Sequence, residues 1–180
     1  GIPGEDIVGY DFDEVDEVNL NSQFYSHRDV GMKKAHALQR NILNFEGVNI
    51  MCMNERYIGQ GAENILVMAV DSIEERRKIF MSSKQSKDIK YIIDARMGSE
   101  FSEIFTVPVA DKKAMKDYQT TLHPEGTALQ EPCTRKAIVY TAWTTASTVA
   151  NIVKKLLLEE DVPQWLQMDH KSMEIYKVKF

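Results

Sequence analysis

The sequence predicts an α/β fold: a mainly parallel sheet with helices on both faces and later strands partly antiparallel. Three observations carry this reading. Short apolar runs rich in β-formers are separated by stretches with the i, i+3, i+4 pattern of amphipathic helices. One run, Ile65-Leu66-Val67-Met68-Ala69-Val70, is apolar without alternation, as expected of a central parallel strand buried on both faces. Two runs end on acids, Asp11 and Asp71, at the C-terminal strand ends where open α/β sheets bind ligands.

The first strand, about 6–12, holds Ile7-Val8-Gly9-Tyr10 and stops at an acidic cluster. A carboxylate there can accept hydrogen bonds from both ribose hydroxyls of a nucleotide; on composition alone a solvated acidic turn is favoured. Phe24 to Asp29 is a polar, aromatic connector, and Asp29 is expected to cap a helix with apolar positions Met32, Ala35, Leu38, Ile42 and Leu43. Lys34 falls in its first turn, the unfavourable end for a cation, and is either a surface lysine or one held toward phosphates. The strand at 48–53 carries Cys52 as a small buried apolar residue. Glu55 to Asn64 is a turn-rich crossing whose Gly59-Gln60-Gly61 is too short for a phosphate loop.

The strand at 65–70 ends at Asp71, which can reach a magnesium ion or cap the helix Glu74 to Ser83, a task Ser72 could also perform. Arg76 and Arg77 read as solvated or paired with acids of that helix. A strand at 90–96 and another from Glu100 to Val107 follow, with Asp94 and Arg96 read as an internal salt bridge. Asp111 to Leu122 is helical, His123 to Pro132 is loop, and Thr134 to Leu158 is the longest helix, rich in small residues and expected to pack inside the domain. Pro163 to Asp169 and Met173 to Phe180 are extended, as in an edge hairpin.

With 180 residues, 43% of them hydrophobic, one domain over 1–180 is expected. A net charge of −5 without a dense Lys/Arg run argues against a nucleic-acid groove. Cys52 and Cys133, far apart and without a partner pattern, suit a reducing compartment. No apolar stretch approaches the roughly 20 residues that span a bilayer, and no signal peptide is visible, so a cytoplasmic protein off the membrane is expected. No C-x-x-C occurs, so no structural zinc is expected.

Asp11-Phe12-Asp13-Glu14-Val15, Asn19-Leu20-Asn21 and Gln23 resemble the D-x-D-x-V…N-L-N-R-Q signature of the ThiF/MoeB/ubiquitin-activating superfamily. Val30-Gly31-Met32-Lys33-Lys34 is similar to its V-G-x-x-K, and Ala69-Val70-Asp71-Ser72 to its T-D-N, with Arg76 at its arginine position. The ordered series runs from Ile7 to about Leu158. It implies a Rossmann-like sheet and an enzyme that adenylates the C-terminal carboxylate of a ubiquitin-like or sulfur-carrier protein with ATP and Mg2+. By this resemblance Asp11 holds the ribose, Asn19 and Lys34 the phosphates and Asp71 the magnesium, with Asp13 and Gln23 in the same nucleotide-binding series. A homodimer is also implied. So is a crossover-type loop at about 123–133, in which relatives often carry a reactive cysteine. Cys133, at a helix start beside Arg135 and Lys136, is then a candidate for thioester chemistry.

There are two departures. Ser22 stands where the motif has arginine, and the initial strand, G-x-G-G-x-G-type loop and helix have no counterpart, Gly1-Ile2-Pro3-Gly4 reading as that helix's exit turn. The expected consequences are an open sheet edge and ATP binding no tighter than about millimolar. They also keep a second function in view, a non-catalytic protein-binding module of the same fold. A dinucleotide-binding oxidoreductase ranks last, because it leaves Asn19-Leu20-Asn21 and the lysine motif unexplained.

Overall fold

The computed structural model describes residues 2–122 and 138–178. The chain forms two compact units, Gly1–Gln60 and Gly61–Phe180. The loop expected at about 123–133, and Cys133 with it, lies outside the described residues.

In the first unit β1 (Val8–Tyr10) and β2 (Met51–Met53) pair in parallel, Val8 opposite Met51 and Tyr10 opposite Met53. The crossover between them is α1 (Lys34–Glu46). Its small residues Ala35 and Ala37 are buried, and Ala35 packs with Ile50, Cys52 and Ile42. The helix ends at Gly47, whose φ of 69° is the left-handed conformation that glycine adopts without a Cβ penalty. At the other end the cap position is Lys33, whose side chain makes no capping hydrogen bond. The expectation that Asp29 caps this helix is therefore corrected. Asp29 instead closes a separate 3-10 turn, His27–Asp29, and is fully buried. The chain turns at Gly31 (φ 81°) and pairs back on itself before the helix can begin.

The second unit holds a five-stranded sheet of order β3 (Asn64–Met68), β4 (Ile89–Met97), β5 (Phe101–Pro108), β6 (Trp165–Asp169) and β7 (Glu174–Val178). β3 and β4 are parallel, joined through α2 (Ile73–Ser83); the pairings from β4 to β7 are antiparallel. Between β5 and β6 come α3 (Lys112–Thr120) and α4 (Val139–Leu157).

Strand alternation divides this sheet into two apolar faces, and helices cover both. On one face Ile93, Ile104, Leu166 and Met168 pack against Ile152 and Leu156 of α4. On the other, Phe105 meets Tyr118 of α3, whose ring also lies edge-on to Phe80 of α2, with centroids 5.7 and 5.2 Å apart. The predicted α/β class is thus present: parallel strand pairs, helices on both faces and late antiparallel strands ending in a hairpin. α4 buries only one stripe, Thr141, Thr145, Ile152 and Leu156, while Val139 and Trp143 are exposed.

One strand differs from expectation. β3 stands at the end of the strand order, and Val67 is 43% exposed, so it is not buried on both faces. The central positions belong to β4 and β5, where Ile92, Ile93, Ile104 and Val107 are fully buried. An apolar run reports the absence of polar residues, and the number of neighbouring strands is set elsewhere in the chain.

Candidate functional site

β1 gives way to Asp11, whose N–H donates to Met53 O at 3.1 Å. Asp11 Oδ1 accepts the N–H of Asp13 at 2.8 Å, a local turn typical of aspartate. The next residues run antiparallel to the segment entering α1. Val15 N–H donates to Met32 O (2.8 Å), Gly31 N–H to Val15 O (2.9 Å) and Lys34 N–H to Asp13 O (2.9 Å), around a bridge between Glu14 and Lys33.

Side chains repeat the connection. Lys33 Nζ lies 2.9 Å from Glu14 and Lys34 Nζ 3.1 Å from Asp13 Oδ2, partners 19 and 21 positions apart in the chain. The Lys34 side chain is largely enclosed, 14% exposed, at the first residue of α1. A cation there opposes the helix dipole, and the Asp13 carboxylate offsets that repulsion. The D-x-D and V-G-x-x-K segments are thereby joined in one place.

Asn19 has a different local role. Its Oδ1 accepts the N–H of Asp16 at 2.8 Å, closing a reciprocal cap on the 3-10 turn Glu17–Asn21. Gln23 lines an open cleft of about 340 Å³ with Phe24, Tyr25, Asn41, Asn44 and Phe45. Its side chain makes no hydrogen bond to Asp13 or Lys34, so it is not joined to that pair as Asp11 is. Tyr25 OH donates to Lys34 O at 3.4 Å. Burial, followed by the charge of Asp11 and then Cys52, Asp29 and Asp13, pushes the phenol up to about 12. Burial also pushes the Cys52 thiol up, as suits a packed cysteine.

Sequence reasoning missed the role of Asp29. This carboxylate accepts from Ser26 N (2.5 Å), Ser26 Oγ (2.8 Å), Asn41 Nδ2 (3.1 Å) and the Arg40 guanidinium. Burial raises its pKa, but the hydrogen bonds from Ser26 and Asn41 and the charge of Arg40 outweigh that and hold it below the usual carboxylate value. The signal was present in the sequence: Ser26-x-x-Asp29 has capping-box spacing.

In the second unit Asp71 is exposed on the turn between β3 and α2. Ser72 caps α2 by accepting from Glu75 N at 3.1 Å, which leaves the Asp71 carboxylate without a side-chain partner among the described residues. Arg76 corrects its reading. It is 5% exposed, and its Nε lies 2.7 Å from Asp94 Oδ1, with a further bond to Ala95 O at 2.9 Å. The cause is helical spacing, since Arg76 shares the buried face of Ile79, Phe80 and Ser83.

Arg96 Nε binds the second oxygen of Asp94 at 2.7 Å, the expected internal salt bridge, and Tyr118 OH donates to that oxygen at 3.0 Å. Burial and then the charge of Asp94 push the Tyr118 phenol well above its usual range. Arg96 itself is raised, burial being outweighed by Asp94. Among the described residues no three His, Cys, Asp or Glu side chains form a metal cluster, and no helix is long and apolar enough to cross a membrane.

These features define an α/β protein with an acid–lysine constellation at the carboxyl end of a parallel strand. No protein-family model and no curated protein sequence matches the chain. Solved structures do match. PaaA superposes with a TM-score of 0.64 at 16% identity, over 94% of this chain and 63% of its own. E. coli MccB with MccA gives 0.67 at 14%, over 94% and 54%, and MccB with ATP gives 0.67 at 14%, over 96% and 55%. The chain therefore spans between about half and two thirds of the structures it matches, and what it shares with them is the fold.

Proposed function

We propose that this chain serves ATP-dependent adenylation of the C-terminal carboxylate of a small protein of the ubiquitin-like or sulfur-carrier kind. The observation that carries the proposal is the joining of Asp11-x-Asp13 to Lys34 at the end of β1. The fold likeness to E. coli MccB, crystallised with ATP and with MccA, supports the same direction.

In the reaction a carboxylate oxygen attacks the α-phosphorus of ATP. The bond from that phosphorus to the oxygen bridging the α- and β-phosphates breaks, and pyrophosphate leaves with the electron pair. No general base is needed, so catalysis consists of alignment and charge neutralisation. Lys34, held at a helix start, supplies a cation to the phosphates, where the dipole of α1 also favours an anion. Asp11 uses one oxygen on Asp13 N–H and has the other for a ribose hydroxyl. Asn19 acts mainly by shaping the turn that leads to Gln23, since its oxygen is engaged within that turn. In the second unit Asp71, exposed and without a side-chain partner among the described residues, would be the magnesium ligand, a single carboxylate of the kind that ion takes.

A second reading, a protein-binding module without catalysis, is favoured by Ser22, which leaves the motif one cation short. ATP–pyrophosphate exchange with calorimetry separates the two. Exchange that collapses in Lys34→Ala, with micromolar binding of magnesium ATP, supports the enzyme. No exchange, with binding weaker than about millimolar, near −4 kcal/mol, leaves the module.

A further inference from the structure

Lys34 owes its position to contacts outside its own helix turn. α1 starts without a side-chain cap, so at Lys33 the incoming chain is joined to the helix only through its backbone carbonyl, which accepts Ala37 N–H at 2.9 Å. The side-chain tie is made one turn earlier, by Asp29 together with three single bonds, Asn41 Nδ2 to Phe24 O (3.1 Å), Arg40 to Met32 Sδ (3.1 Å) and Tyr25 OH to Lys34 O (3.4 Å), and Asp29 makes the most contacts of any one residue. Its carboxylate grips Ser26 on the connector and, from the other side, Arg40 and Asn41 of α1. Its carbonyl accepts Met32 N–H at 2.9 Å, and Met32 O in turn accepts Val15 N–H at 2.8 Å. The carboxylate thus fixes the Asp29 residue against Ser26 and α1, and the backbone of that residue passes the connection through Met32 to the strip 13–15 that carries Asp13, the partner of Lys34.

We propose that Asp29 is a positioning residue of the candidate site, holding the Ser26–Lys33 turn on α1 so that Lys34 Nζ is kept beside Asp13. It touches no substrate and acts through Lys34. Its meaning for catalysis rests on the adenylation reading; its effect on Lys34 does not. Asp29 is 0% exposed and both its oxygens accept hydrogen bonds, so in Asp29→Asn an amide NH2 faces donors on one side; Arg40, 42% exposed, is rehydrated, and the turn is freed.

Reductive 13C-methylation of the full chain gives one NMR resonance per lysine with the charge kept. The Lys34 signal is assigned by its loss in Lys34→Arg and calibrated by Asp13→Asn, which removes its partner. Asp29→Asn is expected to move the Lys34 resonance in the direction seen in Asp13→Asn while leaving the α2 and α3 lysines in place. An unmoved Lys34 resonance in a folded Asp29→Asn chain overturns the proposal. If Asp29→Asn does not fold, Arg40→Met combined with Asn41→Leu, which cuts both bonds from the Asp29 carboxylate to α1, is measured instead, and the same two outcomes decide.

In ATP–pyrophosphate exchange, Asp29→Asn should raise the KM for ATP about tenfold with kcat within about twofold. In calorimetric binding of magnesium ATP, which stays readable where exchange collapses, it should cost nothing further in a Lys34→Ala background, because both changes then act on one group. A loss that simply adds to that of Lys34→Ala overturns the positioning role. A wild-type chain without exchange defeats the adenylation reading and leaves the NMR outcome to judge Asp29 alone.

Discussion

Replacing Asp94 with alanine should be among the most costly single changes in the second unit. Asp94 is 0% exposed and receives three charge-assisted or hydroxyl bonds, from Arg76 Nε at 2.7 Å, Arg96 Nε at 2.7 Å and Tyr118 OH at 3.0 Å. Summing charged hydrogen bonds at ~1.5–3 kcal/mol each would overstate the loss, because Arg96 is partly exposed and can be rehydrated. Arg76 cannot be rehydrated easily, being 6% exposed at its side chain. Removing one partner of a buried pair and stranding the other costs about 3–5 kcal/mol, a large part of the ~5–15 kcal/mol that holds a domain together. Asp94→Asn, which keeps an acceptor for one guanidinium, should lose roughly half as much.

The assay is urea unfolding followed by tryptophan fluorescence. Both tryptophans belong to the second unit, and Trp165 stacks on Phe105 with centroids 5.1 Å apart, directly beside the network. The midpoint should fall with the slope unchanged, the mark of an altered stability and an unaltered unfolded state. A loss below about 1 kcal/mol for Asp94→Ala would refute the reasoning, since it would mean that the two guanidiniums find other partners at no cost.

Two further outcomes are expected. Ser72→Ala should lose the α2 cap, whose oxygen accepts Glu75 N–H at 3.1 Å, and about 1 kcal/mol by the same fluorescence assay. Tyr25, whose phenol is raised from the usual 10 to about 12, keeps its proton in the fold over a window where the unfolded chain has released it. The folded state then binds more protons than the unfolded one, so this contribution is whole below pH 10 and falls as pH rises toward 12. Tyr25→Phe should flatten part of that alkaline decline in urea midpoints followed by circular dichroism, Tyr118 and the other raised phenols, Tyr10, Tyr140 and Tyr176, contributing to what is left; an unchanged decline would rule Tyr25 out.

The sequence by itself determined what neighbouring residues decide. The strands around 8–10, 51–53 and 89–97, the α1 and α2 helices and the terminal hairpin were legible because period and propensity are written within a few positions. So was the Asp94–Arg96 pair, because residues two apart on a strand share a face. Ser72 as a cap was legible for the same local reason. Only the tertiary structure decided which groups face one another across long stretches of chain. It brought Lys34 to Asp13 and Lys33 to Glu14, turned Arg76 inward onto Asp94, buried Asp29 against Arg40 and Asn41, and left β3 at the end of its sheet. A charged residue in a sequence reads as solvated until a buried partner compensates its desolvation, and that partner is named by the fold alone.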